Sequence, residues 1–179
     1  MKKTLHKMFW IWQFEEEREW LNQMAQQGWI LYDVGFCTYK FEQGEKDKYQ
    51  FALEILNGLS CNKKNKEYIS FVEQTGAEYV GKLGGWVYFK KEKNENYDFD
   101  MYSDNISKAK YLKRLMITPL ILALCNLEIG ATNCFLLNHH APNNMIGIIN
   151  FIVAGLCGYG FYKIYKKRKE LLKENSITQ

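Results

Sequence analysis

The chain has 179 residues and a formal charge of +4, from 24 Lys+Arg against 20 Asp+Glu. The excess is uneven: residues 1–111 carry 16 basic and 17 acidic side chains, and residues 112–179 carry 8 and 3. A nucleic-acid surface needs its basic excess on the folded domain. Here the excess lies at the other end of the chain, beside long apolar runs, where it would meet anionic lipid head groups.

No cleavable leader is expected, because the apolar run Met8–Trp12 is short and ends in Glu15-Glu16-Glu17 with no small-residue cleavage site. Residues 7–14 read as a strand, with Met8, Trp10, Trp12 and Phe14 alternating onto one face. The three carboxylates then open a helix, whose Trp20, Leu21, Met24 and Ala25 form an apolar stripe. Gly28 stops it. Strands follow at Trp29–Val34 and Phe36–Glu42, turning near Gly35. The segment Tyr49–Ile55 alternates most clearly, with Tyr49, Phe51, Leu53 and Ile55 on one side. After a polar loop, a helix at about Lys66–Thr75 carries Tyr68, Ile69, Phe71 and Val72 on one face and ends at Gly76. Two strands, Ala77–Lys82 and Trp86–Lys91, turn at Gly84-Gly85.

The two halves match. Gly28 to Phe41 and Gly76 to Phe89 both span 13 positions. In each, an amphipathic helix ends in Gly and two strands follow. The expectation is an α+β fold in which residues 1–93 form duplicated strand-helix-strand-strand units. These would make one antiparallel-rich sheet with two helices on one face.

Residues 94–114 read as a connector and juxtamembrane helix, N-capped at Ser103 or Asp104. This helix would run unbroken into the first span, with a kink at Pro119. Residues 115–165 hold two apolar runs, Leu115–Leu137 and Met145–Tyr165, each about the roughly 20 residues that cross a bilayer. Lys108, Lys110, Lys113 and Arg114 precede the pair, and Lys163, Lys166, Lys167, Arg168 and Lys169 follow it. The intervening turn holds no Lys or Arg. Basic residues stay on the cytoplasmic side, so a two-pass cell-membrane hairpin with both termini cytoplasmic is expected. Residues 166–179 form a basic tail that contacts lipid head groups. The cysteines show no paired spacing, and free thiols are expected.

Within the spans, Glu128, Asn126 and Asn150 are polar groups at membrane depth. Glu128 is expected to approach Asn150 or a partner subunit. Ala154, Gly155 and Gly158 make a small-residue surface for the hairpin or for a homo-oligomer. His139-His140 gives adjacent imidazoles without a third ligand, so no metal site and no cofactor are expected. Glu15, Glu16, Glu17 and Glu19 with Arg18 read as a solvated helix start. No nucleophile-base pair, phosphate loop or acid pair is present, and the chain reads as a non-enzyme.

Glu-Trp-Leu-Asn at 19–22, Gln-Gly-Trp at 27–29, Tyr-Lys-Phe-Glu at 39–42, Tyr-Phe-Lys-Lys at 88–91 and Tyr-Ser-Asp at 102–104 together resemble the DUF2812 family over about residues 5–114. The resemblance implies a membrane-tethered bacterial protein encoded near PadR-like regulators, and it implies no activity. Gly76-Ala77 departs from it, standing where a Gly-Trp pair is more usual. The candidate ligand or partner face is aromatic: Trp10, Trp12, Trp29, Tyr39, Trp86 and Tyr88. The reading is a membrane-anchored cytoplasmic sensing or interaction module that binds a partner or an apolar ligand. The alternative is a component of a small membrane transport or stress system, oligomeric around Glu128.

Overall fold

A computed structural model of the chain describes residues 1–56, 63–94, 99, 105–136 and 141–177. The chain forms two compact units, Met1–Met101 and Tyr102–Gln179.

The first unit is α+β. In order it contains β1 (Lys2–His6), a 3-10 turn (Ile11–Gln13), α1 (Phe14–Gln26), β2 (Trp29–Gly35), β3 (Thr38–Gln43) and β4 (Tyr49–Ile55). α2 (Lys63–Gln74), β5 (Ala77–Leu83) and β6 (Trp86–Glu92) complete it. The strands form two antiparallel sheets of three, ordered β1-β3-β2 and β4-β6-β5, where a single sheet was expected. β2 and β5 lie side by side without a ladder between them, and a Cβ on Gly81 would stand 3.1 Å from Cγ1 of Val34.

The first strand is displaced from its expected place. Lys2–His6 pairs with β3, from Lys2 opposite Glu42 to His6 opposite Thr38. A lysine-bearing edge strand is a common protection against further pairing. Residues 7–14, expected as a strand, instead turn. The Gln13 amide donates to the Trp10 carbonyl at 2.7 Å, and the Trp10 amide donates to the Gln13 side chain at 3.0 Å. The alternation of large aromatics misled because Trp10 and Trp12 meet across a turn, with rings stacked 5.2 Å apart, rather than along a pleat.

Helix α1 ends as expected. Gly28 takes φ +86°, and its amide donates to the Ala25 carbonyl at 2.9 Å. Gly76 takes φ +85° after α2, and the left-handed region costs glycine least.

The two helices bury against different strand faces. Leu21, Met24 and Ala25 of α1 share a core with Leu31, Tyr39, Phe41, Phe51, Leu53 and Tyr88. Val72 of α2 joins Ala52, Val87 and Phe89. Successive strand residues point to opposite faces, so α1 and α2 cover opposite sides of β4-β6-β5. The expected placement of both helices on one face is therefore corrected. It also explains why the single buried side expected for β4 became two: Phe51 through Glu54 are all buried. Tyr68 of α2 donates a short hydrogen bond to Glu54 on the α2 side. Phe71, expected on the buried stripe of α2, is exposed.

The second unit is helical: α3 (Asn105–Leu115), α4 (Ile117–Ala131), a π-helical turn (Thr132–Leu136) and α5 (Ala141–Ile177). The expected cap at Ser103 or Asp104 lies outside the described residues, as do His139-His140. The regular helix breaks at Met116, although the Met116 amide still donates to the Leu112 carbonyl at 3.0 Å. Pro119 accounts for the break, because its ring lacks the N–H and crowds the carbonyl of Leu115 four positions earlier. Two helical stretches, Ile106–Phe135 and Asn143–Lys173, are long and apolar enough to cross a membrane.

Candidate functional site

The site begins with helical arithmetic on α1. Glu17 stands four positions before Leu21 and seven before Met24, on the stripe that faces the core. The fold carries this carboxylate inward, and only 7 % of the residue is exposed. Tyr39 in β3, central in its sheet, and Tyr88 in β6, central in the other, both point into the same core. Both hydroxyls donate to Oε1 of Glu17, each at 2.7 Å. One side chain of α1 thus ties together the middle strands of both sheets.

The electrostatics follow from that burial. Loss of solvent raises the Glu17 carboxyl above the ordinary carboxylate range, and the two hydroxyl donors hold it back only in part. Burial, and then the neighbouring carboxylate, push both phenols far above their ordinary value. They stay protonated, so each keeps a hydroxyl proton to donate to Glu17.

Glu17, Tyr39 and Tyr88 line a cavity of about 250 Å³. Phe9 and Trp10 from the segment after β1, Phe36 and Cys37 from the β2–β3 turn, and Leu83 and Trp86 at the β5–β6 hairpin form much of the rest. The wall is mostly aromatic. Phe9 meets Tyr39 edge-on at 6.3 Å, and Phe14 stacks on Trp86 at 5.9 Å. Lys7 stands at the margin with its ammonium 4.7 Å from the Phe9 ring and 4.6 Å from the Trp20 ring.

Four of the six aromatic residues marked from sequence, Trp10, Tyr39, Trp86 and Tyr88, line this cavity. Trp12 stacks on Trp10, and Trp29 lies under the Lys3 ammonium at 4.5 Å. Neither is among the lining residues. Glu17 was missed because it sits in a run of three glutamates that reads as a solvated helix start. Its membership of the Leu21, Met24 stripe was the available signal. The reading of Glu17 as solvated is corrected by its burial.

A second concavity of about 310 Å³ lies by the loop after β3, between Ile30, Gly44 and Tyr49. Its lysines already have anionic partners, Lys48 with Glu45 at 3.3 Å and Lys90 with Glu78 at 3.0 Å. Ligand charge would compete with these pairs.

In the second unit α4 and α5 pack together. A Cβ on Gly147 would stand 3.0 Å from the Gly130 carbonyl and would collide with the Cys134 sulfur. Ala154 is buried, but Gly155 and Gly158 meet no neighbour within 4 Å of a Cβ position. Of the small residues marked from sequence, only Ala154 serves the packed helices. The Asn126 amide donates to the Leu122 carbonyl and the Asn150 amide to the Ile146 carbonyl, each at 2.8 Å on its own helix. Glu128 is exposed, and among the described residues it makes no hydrogen bond to Asn150. At the other end, Lys163 lies over Tyr159 at 5.5 Å, and Lys166 sits 4.0 Å from Glu170. The Arg168 Nε donates to the Ala109 carbonyl of α3 at 3.2 Å. Lys167 and Lys169 lie on the same basic stretch of α5.

A family model described as "Protein of unknown function (DUF2812)" matches residues 13–124. The match takes in Glu17, Tyr39, Trp86 and Tyr88 and begins after Phe9 and Trp10. No curated protein and no solved structure matches the chain.

Proposed function

The chain belongs to the DUF2812 family, and we propose that it is a membrane-anchored sensing module whose first unit binds a small apolar ligand in the cavity at Glu17. The observation that carries this reading is the cavity itself: an aromatic hollow with one buried, perturbed carboxylate. Apolar hollows with a few convergent polar groups are where small molecules bind. A buried titratable group whose carboxyl is raised by loss of solvent adds to the assignment. At about 250 Å³ the space lies just below the roughly 300–1,000 Å³ of drug-sized sites, which suits a ligand of one or two rings.

The anchor is the second unit. Within the apolar windows of its two long helices only 22 % and 17 % of residues are buried, and many of their Leu and Ile side chains are exposed. Such a surface suits hydrocarbon better than water. The basic groups of α3 and of the last third of α5 converge where Arg168 meets Ala109. The positive-inside rule then puts both termini in the cytoplasm. The β-α-β-β halves of the first unit are, in this reading, copies of one unit. Support comes from matching strand orders and from a bulge four residues after each helix-ending glycine, at Tyr32 after Gly28 and at Val80 after Gly76.

A second reading, an oligomeric membrane component, is favoured by one observation. Gly155, Gly158 and Glu128 lie outside the helix contacts and are open to another copy.

Tryptophan fluorescence of the full-length chain in a nonionic detergent tests the ligand reading. Small aromatic compounds should shift or quench the emission, since Trp10 and Trp86 line the cavity. No change with any aromatic compound, in a chain that keeps its circular dichroism, would reject it.

A further inference from the structure

We infer that the ligand of this cavity is a lipophilic cation, an aromatic amine or quaternary ammonium whose positive charge is met by Glu17. The inference rests on the reading of the cavity as a ligand site and specifies the chemistry that site selects.

The argument starts from the unequal use of the two carboxylate oxygens. Both tyrosine hydroxyls donate to Oε1. Among the described residues Oε2 accepts no hydrogen bond, yet it is not sealed from solvent as a buried orphan would be. Its route outward is the cavity that Glu17 lines. A buried carboxylate is costly unless a cation or several donors meet it. Here two neutral donors meet one oxygen and leave the other facing the hollow.

One cation of the chain, Lys7, lines the same cavity, and it is not paired with Glu17. The groups that face Glu17 are Tyr39 from β3 and Tyr88 from β6, with Cys37 from the β2–β3 turn and Lys7 after β1. Glu15, Glu16 and Arg18 flank it on α1. Lys7 is exposed, and its ammonium lies over Phe9 and Trp20 rather than on the carboxylate. No ion pair to Glu17 occurs among the described residues. The aromatic wall adds a second attraction, because ring faces draw cations, most strongly where water is excluded. A ligand without a donor or a positive charge would use the wall and leave the carboxylate unmet. An anion would be repelled by it.

A cation at Glu17 favours the ionised carboxylate. Below the raised Glu17 value binding therefore releases a proton, and affinity for a permanently charged cation rises with pH up to that value.

The test compares three probes of similar size on the full-length chain in dodecyl maltoside, read by tryptophan fluorescence. They are benzyltrimethylammonium, its uncharged carbon isostere neopentylbenzene, and the anion 4-phenylbutyrate. At pH 8 the cation should bind at least about tenfold more tightly than the isostere, and the anion weakest. The cation's advantage should shrink at pH 5. Glu17→Gln keeps the shape and should remove that advantage while leaving the isostere's affinity within about twofold. Isostere binding equal to or tighter than cation binding, or tightest binding by the anion, would overturn the cation assignment and leave the apolar-ligand reading standing. Failure of all three probes to bind a folded chain would overturn both. The wild-type comparison decides by itself if Glu17→Gln does not fold.

Discussion

Glu17 and Tyr88 stand 71 positions apart in the chain, and the Tyr88 hydroxyl donates to Oε1 of Glu17 at 2.7 Å. Tyr39 reaches the same oxygen from the other sheet. Removing either hydroxyl leaves the carboxylate with one donor. Tyr88→Phe should destabilise the first unit by about 1.5–3 kcal/mol, the usual scale for a hydrogen bond to a charged group. The cost should be smaller at pH 4, where Glu17 is protonated and its oxygen is a weaker acceptor. Urea unfolding at pH 4 and pH 8 reads both values. Equal costs at the two pH values would mean that the hydroxyl is not holding a carboxylate.

The pH dependence has a definite sign. Burial raises the folded-state value of Glu17 above its ordinary one. Between the two values the folded chain holds a proton that the unfolded chain has released. Stability is then fully present below the unfolded value and declines as pH rises through the folded one. Glu17→Gln carries no such slope and still offers an acceptor to both tyrosines. The stability of the variant relative to wild type should be flat below the unfolded value, improve between the unfolded and folded values, and level off above the folded one. A constant difference from pH 4 to pH 8 would show that Glu17 titrates as it does in water.

How far these features were legible varies by residue. The helix ending at Gly28 and the strands on either side of Gly84 followed from local chemistry: helical spacing, a glycine able to take positive φ, and alternation. Long-range pairing did not follow. Lys2–His6 has little apolar content, and its strand state depends on the β3 edge that receives it. The Met8 to Phe14 alternation was a real period in a segment whose backbone turns. Two sheets replaced one because β2 and β5 sit beside each other without exchanging hydrogen bonds, which no local pattern encodes. Glu17 was the costliest miss. Its charge dominated the reading, while its position on the Leu21 and Met24 stripe already placed it inward. In the second unit the apolar runs were plain, but the contact at Gly147 depends on how two helices face one another.

The glycines that end α1 and α2 differ in what surrounds them. Both take positive φ, so alanine is strained at either. A Cβ at Gly28 would also stand 3.1 Å from the Gly44 carbonyl oxygen, whereas at Gly76 the nearest atom is the flexible end of Lys91 at 3.8 Å. Gly76→Ala should cost about 1–2 kcal/mol. Gly28→Ala should cost more, because backbone must move as well. Thermal unfolding of both variants checks the order, and a larger loss at Gly76 would contradict the close approach at Gly44.

The proposed membrane orientation of the second unit gives a labelling prediction. With both basic clusters inside, Asn144→Cys should react with a membrane-impermeant maleimide added to intact cells. Lys3→Cys and Lys173→Cys should react only after permeabilisation, in a background lacking the native cysteines. The opposite pattern would reverse the positive-inside assignment. Labelling at all three sites in intact cells would remove the bilayer from the account.

The contact between α4 and α5 leaves little room at Gly147, where Cys134 and the Gly130 carbonyl stand close on the facing side. Gly130 is confined as well, though less, since a Cβ there would lie 3.1 Å from ring atoms of Phe151 and 3.2 Å from the Gly147 carbonyl. Small residues let helices approach this closely when lipid supplies no hydrophobic drive. Gly147→Leu should therefore separate the helices and destabilise the second unit by about 1–3 kcal/mol. Gly155→Leu meets no neighbour in the chain and should leave the unit's melting in detergent unchanged. If Gly155→Leu instead shifts a native-gel band from oligomer to monomer, that face joins copies of the chain. If it destabilises an already monomeric chain as much as Gly147→Leu does, the helices pack through a different face from the one at Gly130.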